Sequence, residues 1–171
     1  MQVESFRSIC VALNEASVRF MVADGLAVNV YGFLRFTKNA DLCIELLPEN
    51  IIGLYLALKS LGYRPNIPIS NEQFADASNR ALWITEKNMT VLQFWSDQHP
   101  QTPVDIFVDL PFVFSEEMER ATKKPLGGVG VVHFVSLATL LEMKRAAGRE
   151  VDEIDIRELE RIQKEARSIQ R

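Results

Sequence analysis

Cysteine is scarce in this 171-residue chain: only Cys10 and Cys43 occur, each inside an apolar stretch. That count excludes a disulfide framework and a four-thiolate zinc site, and it points to two reduced core residues. The two histidines, His99 and His133, lie far apart and lack metal-ligand spacing, so both are expected to be structural. No stretch approaches the roughly 18 uninterrupted apolar residues of a membrane span. The opening Met-Gln-Val-Glu-Ser-Phe-Arg also lacks the basic-then-apolar order of a secretory signal, so the expectation is a cytoplasmic protein with no membrane partner. Positive charge is not in excess, because 19 Lys and Arg face 23 Asp and Glu for a net charge of −4. A strongly electrostatic polyanion binder is therefore disfavoured, while a local basic site stays open. Seven prolines and eight glycines are dispersed along the chain rather than gathered into a linker, with no repeat or low-complexity tract, which predicts one continuous domain over residues 1–171.

Apolar periodicity predicts a helix over about 3–16, from Val3, Phe6, Ile9, Cys10 and Leu13, and then a short buried strand at Arg19–Ala23. Gly25 follows and opens a second helical stretch, Leu26 to Phe33, before a strand at Ala40–Ile44. Pro48 suits the first turn of a helix striped by Ile51, Leu54, Tyr55, Leu58 and Leu61, with Gly62 placed for a left-handed cap. Ser70-Asn-Glu-Gln73 has capping-box form ahead of a short helix. Ala81–Ile84 and Met89–Trp95 read as a strand pair turning near Lys87-Asn88, which would place Trp83 and Trp95 in apolar strands of the core. Val104–Val108 is a further strand, Ser115 with Glu116 and Glu117 marks a helix start, and Gly127-Gly-Val-Gly130 leads into strand Val131–Val135 by a turn. Two helices finish the chain, Ser136 to Ala147 before Gly148 and about Asp152 to the terminus, packing on or extending from the core. Helices and strands do not alternate regularly, so the expected class is α+β, a mixed sheet flanked by helices.

Three features exceed what a core requires. Val22-Ala-Asp-Gly-Leu-Ala27 is a strand-to-glycine-to-helix junction, which could bring backbone amides to a phosphate or could equally be a tight turn. Asp41 and Asp105 lie within strands, where an unpaired carboxylate is costly to bury, and Asn39 precedes Asp41 by two residues. On adjacent strands they would form an oxygen-rich site suited to magnesium; at strand ends they would merely be solvated. Lys144 continues the apolar stripe of Leu137, Leu140 and Leu141, so its ammonium points along the protein-facing side, toward an anion or along its own stem to water. Asp152 and Asp155, one turn apart, either cap the last helix or hold Lys144 or Arg149; Asp155, Leu159, Ile162, Ala166 and Ile169 share one face.

As an ordered set, the run Phe20 to Ile44 with its Asp-Gly turn, Val-Asp-Ile-Phe (104–107) and Met-Lys-Arg-Ala-Ala-Gly-Arg-Glu-Val-Asp-Glu-Ile-Asp-Ile (143–156) resembles the minimal nucleotidyltransferase superfamily. The likeness is to the bacterial group of small nucleotidyltransferase-like proteins that includes AbiE-type toxins. It implies a nucleotidyltransferase-like mixed sheet and, for an active member, magnesium ions held by carboxylates that bind a nucleoside triphosphate. An acceptor hydroxyl then attacks the α-phosphorus and pyrophosphate leaves. Position by position, the resemblance implies Asn39, Asp41 and Asp105 as metal ligands and Asp24, Gly25, Arg35, Thr37 and Lys144 around the nucleotide. Asp41, Asp105 and Lys144 would be catalytic, with Asp152 and Asp155 in support. The acceptor could be RNA, protein or a small molecule, and an antitoxin is a further implied partner.

Two positions depart from the motif: Asn39 stands where the first aspartate is expected and Asp24 where the first glycine is expected. Asparagine brings no charge to a metal, and Asp24 opposes a triphosphate by repulsion. The departures leave two readings, a transferase and a catalytically weakened homologue that binds a nucleotide or protein as a regulator. An unrelated structural domain would instead place Asp41 and Asp105 far apart.

Overall fold

The computed structural model describes residues 1–169. Gln170 and Arg171, the end of the expected last helix, and the side chain of Ile169 lie outside the described residues. Helix α1 (Val3–Glu15) buries Phe6, Ile9, Cys10 and Leu13 of the expected stripe, while Val3 at its first turn is exposed. It is followed by β1 (Phe20–Val22), α2 (Asp24–Val30), β2 (Ala40–Ile44), α3 (Pro48–Ser60), β3 (Arg64–Pro65), α4 (Asn71–Ala75), α5 (Ala77–Lys87), β4 (Val91–Trp95) and β5 (Val104–Phe107). The second half adds α6 (Phe114–Arg120), β6 (Thr122–Leu126), β7 (Gly130–Phe134), α7 (Leu137–Ala147) and α8 (Glu150–Ile169).

The strands form one seven-stranded sheet in the order β3-β4-β5-β2-β1-β7-β6. It is mixed: β2 pairs parallel to β5 and β1 parallel to β7, while the remaining neighbours are antiparallel. The α+β class with flanking and C-terminal helices is therefore as expected. The centre of the sheet carries the core, with Met21, Val22, Leu42, Ile44, Leu92 and Ile106 fully buried. Register then sets the rest: Leu42 lies beside Ile106, and one step along the same pair Asp41 lies beside Asp105.

Several local expectations are met. Pro48 starts α3 and Gly62 follows its end at φ +73°. Ser70 and Gln73 form the reciprocal capping box of α4. Gly127 and Gly128 turn between β6 and β7, with Gly128 at φ +80°. Both cysteines are free and buried.

Others need correction. Ala81–Ile84 is not a strand but the middle of α5, with Trp83 stacked on Phe74 at 6.4 Å between ring centroids. A four-residue apolar run has no period of its own. The decision lies at its ends, where the Asp76 carboxylate accepts from Ser78 N–H and Asn88 closes the helix in the left-handed region at φ +49°. Met89–Trp95 shortens to β4, whose hairpin partner is β5. Strand β6 has no counterpart among the expected elements, because Thr-Lys-Lys-Pro-Leu lacks an apolar alternation. Ser115 does not cap α6, which starts at Phe114 with Val113 in the N-cap position and no side-chain cap. Helix α2 begins at Asp24 rather than Leu26, and α8 at Glu150 rather than Asp152.

Candidate active site

The floor of the site is the β2–β5 pair. Asp41 and Asp105 are register partners on parallel strands, so their side chains emerge on the same face. Asp105 is held from both sides: Asn39 donates its amide to Oδ2 at 2.6 Å and Gln93 donates to Oδ1 at 2.9 Å. Gln93 can do so because it is the register partner of Asp105 across β4–β5. Burial first, then the nearby charges of Asp24 and Asp105, push the Asp41 carboxyl up to about 8. Asp41 is thus an acid short of positive charge.

Above this floor sits the turn into α2. Ala23 N–H donates to the Asp41 carbonyl at 2.8 Å, which fixes the turn over β2. Asp24 follows at φ +42°, a left-handed conformation that costs a non-glycine residue on the order of 1 kcal/mol. Gly25 is required by space, since a Cβ there would lie 2.6 Å from Thr37 Oγ1 and 2.7 Å from Thr37 Cβ. Thr37 Oγ1 in turn donates to the Asn39 carbonyl at 3.3 Å, and Arg35 N–H donates to Asn29 Oδ1. The segment carrying Arg35, Thr37 and Asn39 therefore lies directly against the start of α2.

Helix α7, the turn after it and the segment before β2 supply the cations. Lys144, 2% exposed, reaches Asp24 Oδ1 at 2.6 Å, Asp152 Oδ1 at 2.9 Å and Asp155 Oδ2 at 2.7 Å. Arg149 donates from Nε to Asp152 Oδ2 at 2.6 Å and from a terminal nitrogen to Asp24 Oδ2 at 2.8 Å. Arg35 bridges Asp24 at 3.1 Å and Asp155 at 2.9 Å. The contacts to Asp155 are ion pairs whose geometry falls short of aligned hydrogen bonds. Burial opposes ionisation of Asp24, Asp152 and Lys144, and their mutual pairing outweighs it. Asp24 is held below its ordinary value by Lys144 and Arg149, and Asp152 falls to about 2 through Arg149 and Lys144. Lys144 is held above its ordinary value by Asp24, Asp155 and Asp152.

A cleft of about 480 Å³ opens over these groups, within the usual size range for small-molecule sites. Asp24, Asp41, Asp105, Lys144 and Arg149 line its polar end. Ile84, Met89, Phe107, Val108, Pro111 and Met143 are among the residues forming its apolar walls. The structure thus gathers Asp24, Gly25, Arg35, Thr37, Asn39, Asp41, Asp105, Lys144, Asp152 and Asp155 into one region. Gln93 and the apolar wall were not anticipated. Gln93 is visible in the sequence only as a polar residue inside a strand, and Ile84 of the wall sits on α5, where the sequence suggests a strand.

Among the described residues, the carboxylates whose oxygens all lie within 4.8 Å of one another are Asp24, Asp152 and Asp155. Lys144 contacts all three, so this group already has its cation. Among the described residues, no cation is in contact with Asp41 or Asp105. Their oxygen-rich donor set and the upward push on Asp41 fit a divalent cation, which prefers carboxylate oxygens and would relieve their repulsion. No described helix is long and apolar enough to cross a membrane.

The chain matches no protein-family model, and no curated protein matches it. Solved structures do. The lincosamide antibiotic adenylyltransferase LnuA, bound to lincomycin, superposes with a TM-score of 0.63 at 13% identity, over 95% of this chain and 98% of that one. The enzyme ANT(2'')-Ia, in complex with adenylyl-2''-tobramycin, superposes with a TM-score of 0.57 at 13% identity, over 99% of both chains. The fold is therefore that of these nucleotidyltransferases along essentially the whole chain.

Proposed function

We propose that this protein transfers a nucleoside monophosphate from a nucleoside triphosphate to a hydroxyl of a small-molecule acceptor. The observation that carries the reading is the pairing of Asp41 with Asp105 at the floor of a cleft that also receives Lys144 and Arg149. Asp41 and Asp105, with Asn39 beside them, would hold magnesium, which when bound offsets the charge of the phosphate under attack. The remaining work falls to the chain. Asn39 and Gln93 keep the Asp105 carboxylate in one orientation. Lys144 and Arg149 bring positive charge to the polar end, and the apolar walls exclude water and receive the ring systems of nucleotide and acceptor. In the reaction the acceptor hydroxyl oxygen bonds to the α-phosphorus and gives up its proton to solvent, the bond from that phosphorus to the bridging oxygen breaks, and pyrophosphate departs. Lincomycin and adenylyl-2''-tobramycin in the structural relatives support a small-molecule acceptor over a macromolecule.

A second reading, a weakened homologue that binds a nucleotide or a protein partner without turnover, is favoured by Asn39, which presents an amide donor to Asp105 where a charged ligand would strengthen the metal site. Calorimetry of nucleoside triphosphates with and without magnesium, on the natural chain and on Asn39→Asp, separates the two. Magnesium-dependent binding by the natural chain, followed by release of pyrophosphate when acceptors are added, supports transfer. Binding by the variant alone supports the second reading, and binding by neither removes both nucleotide readings.

A further inference from the structure

We propose that Asp24 decides which anions the cleft admits: its carboxylate is an internal anion seated on Lys144 and Arg149, and a polyphosphate binds only when it displaces that carboxylate. The inference rests on the reading that the polar end of the cleft receives phosphate groups. The Lys144 ammonium donates to Asp24 and Asp152 and forms an ion pair with Asp155 at 2.7 Å. Arg149 spends Nε on Asp152 and shares a terminal nitrogen between Asp152 and Asp24. Arg35 is divided between Asp24 and Asp155. Three cations thus meet three carboxylates, and the formal charges of the cluster cancel while Asp24 is in place.

The three carboxylates are not equivalent. Asp152 and Asp155 are fully buried on α8 and do not line the cleft. Asp24 lines it, and its side chain keeps 17% exposure. A ligand can therefore reach and replace Asp24 alone. Its backbone is in the left-handed region at φ +42°, a conformation that persists where surrounding contacts over-determine it; here those contacts are the ion pairs to Lys144, Arg149 and Arg35. Removing the charge of Asp24 leaves these cations in excess at the cleft wall. The geometry makes Asp24 a specificity-determining residue that rejects free polyanions.

Inorganic pyrophosphate titrated calorimetrically in EDTA tests this without any metal or base. Asp24→Asn, of the same shape, is expected to bind pyrophosphate at least about tenfold more tightly than the natural chain. Arg149→Gln added to Asp24→Asn should abolish the gain. Equal affinities for the natural chain and Asp24→Asn, or a gain that survives Arg149→Gln, would overturn the proposal. Asp24→Gly, which suits the left-handed backbone, serves if the asparagine variant does not fold. Pyrophosphate binding by the natural chain in EDTA with Kd below about 10 µM overturns the proposal whatever the variants do. If the natural chain binds no triphosphate with magnesium while Asp24→Asn binds pyrophosphate in EDTA, the transfer reading falls and the role of Asp24 stands.

Discussion

Lys144 shares its buried charge among three carboxylates, and the stability of the site depends on that sharing. Asp152 is held at about 2, against an ordinary 3.8, by Arg149 and Lys144 acting against its burial. A depressed folded-state value means the unfolded chain takes up the proton first as pH falls. The stability from this group is therefore complete above about pH 4 and is lost between about 4 and 2, amounting to about 2 kcal/mol. Asp152→Asn should lower the melting temperature at pH 7, and the gap from the natural chain should narrow as pH falls toward 2.5. A gap constant with pH would contradict the assignment. Gly25 makes a steric prediction. Gly25→Ala should cost about 1–3 kcal/mol, because the new methyl overlaps Thr37. Thr37→Ala should not rescue it, since the Thr37 Cβ is itself 2.7 Å away, whereas Thr37→Gly should. Urea denaturation of the double-mutant cycle measures this coupling. Residue types alone made Asp41, Asp105, Gly25 and Lys144 stand out, because each breaks a rule of strand or helix composition, whereas Asp24, Arg35 and Thr37 entered only through the family resemblance. The partners of each were not legible, since Lys144 meets Asp24 across 120 positions of chain and only the fold closes that distance.

At the scale of elements, long periodic segments such as α1, α3 and α7 were readable because a stripe repeated over three turns has one good solution. Short apolar runs were not: Ala81-Leu-Trp-Ile84 fits either state until Asp76 and Asn88 fix the helix ends. That error also hid one wall of the cleft, since Ile84 lines it from α5. The start of α7 shows an element held by a side chain from elsewhere. Glu117 of α6 is fully buried and accepts from Ser136 N–H at 2.6 Å and Thr139 Oγ1 at 2.8 Å, in the first turn of the helix that bears Lys144. Glu117→Ala strands a buried amide and a hydroxyl and should destabilise the protein by about 2–4 kcal/mol. A loss under about 0.5 kcal/mol in chemical denaturation would show that the contact is incidental.

For the whole molecule, the two sheet edges are protected differently. One is β3, two residues long and ending in Pro65; the other is β6, carrying exposed Lys123, Lys124 and Pro125. Charge, proline and shortness all discourage pairing with another chain. Replacing Lys124 and Pro125 together by Val and Thr should produce concentration-dependent assembly visible by light scattering, with little change in the far-ultraviolet spectrum of dilute protein. The same pair left in place should keep the natural chain free of such assembly. The neutralising partners of Asp24 all come from later in the chain, with Lys144 and Arg149 more than a hundred positions away. Asp24, Asp41 and Asp105 all precede Lys144 and Arg149 in the chain, so of the cations that balance Asp24 only Arg35 is made before α7. A nascent chain that stalls before α7 would leave Asp24 with Arg35 alone, so the electrical completeness of the cleft waits on α7 and on the turn that carries Arg149.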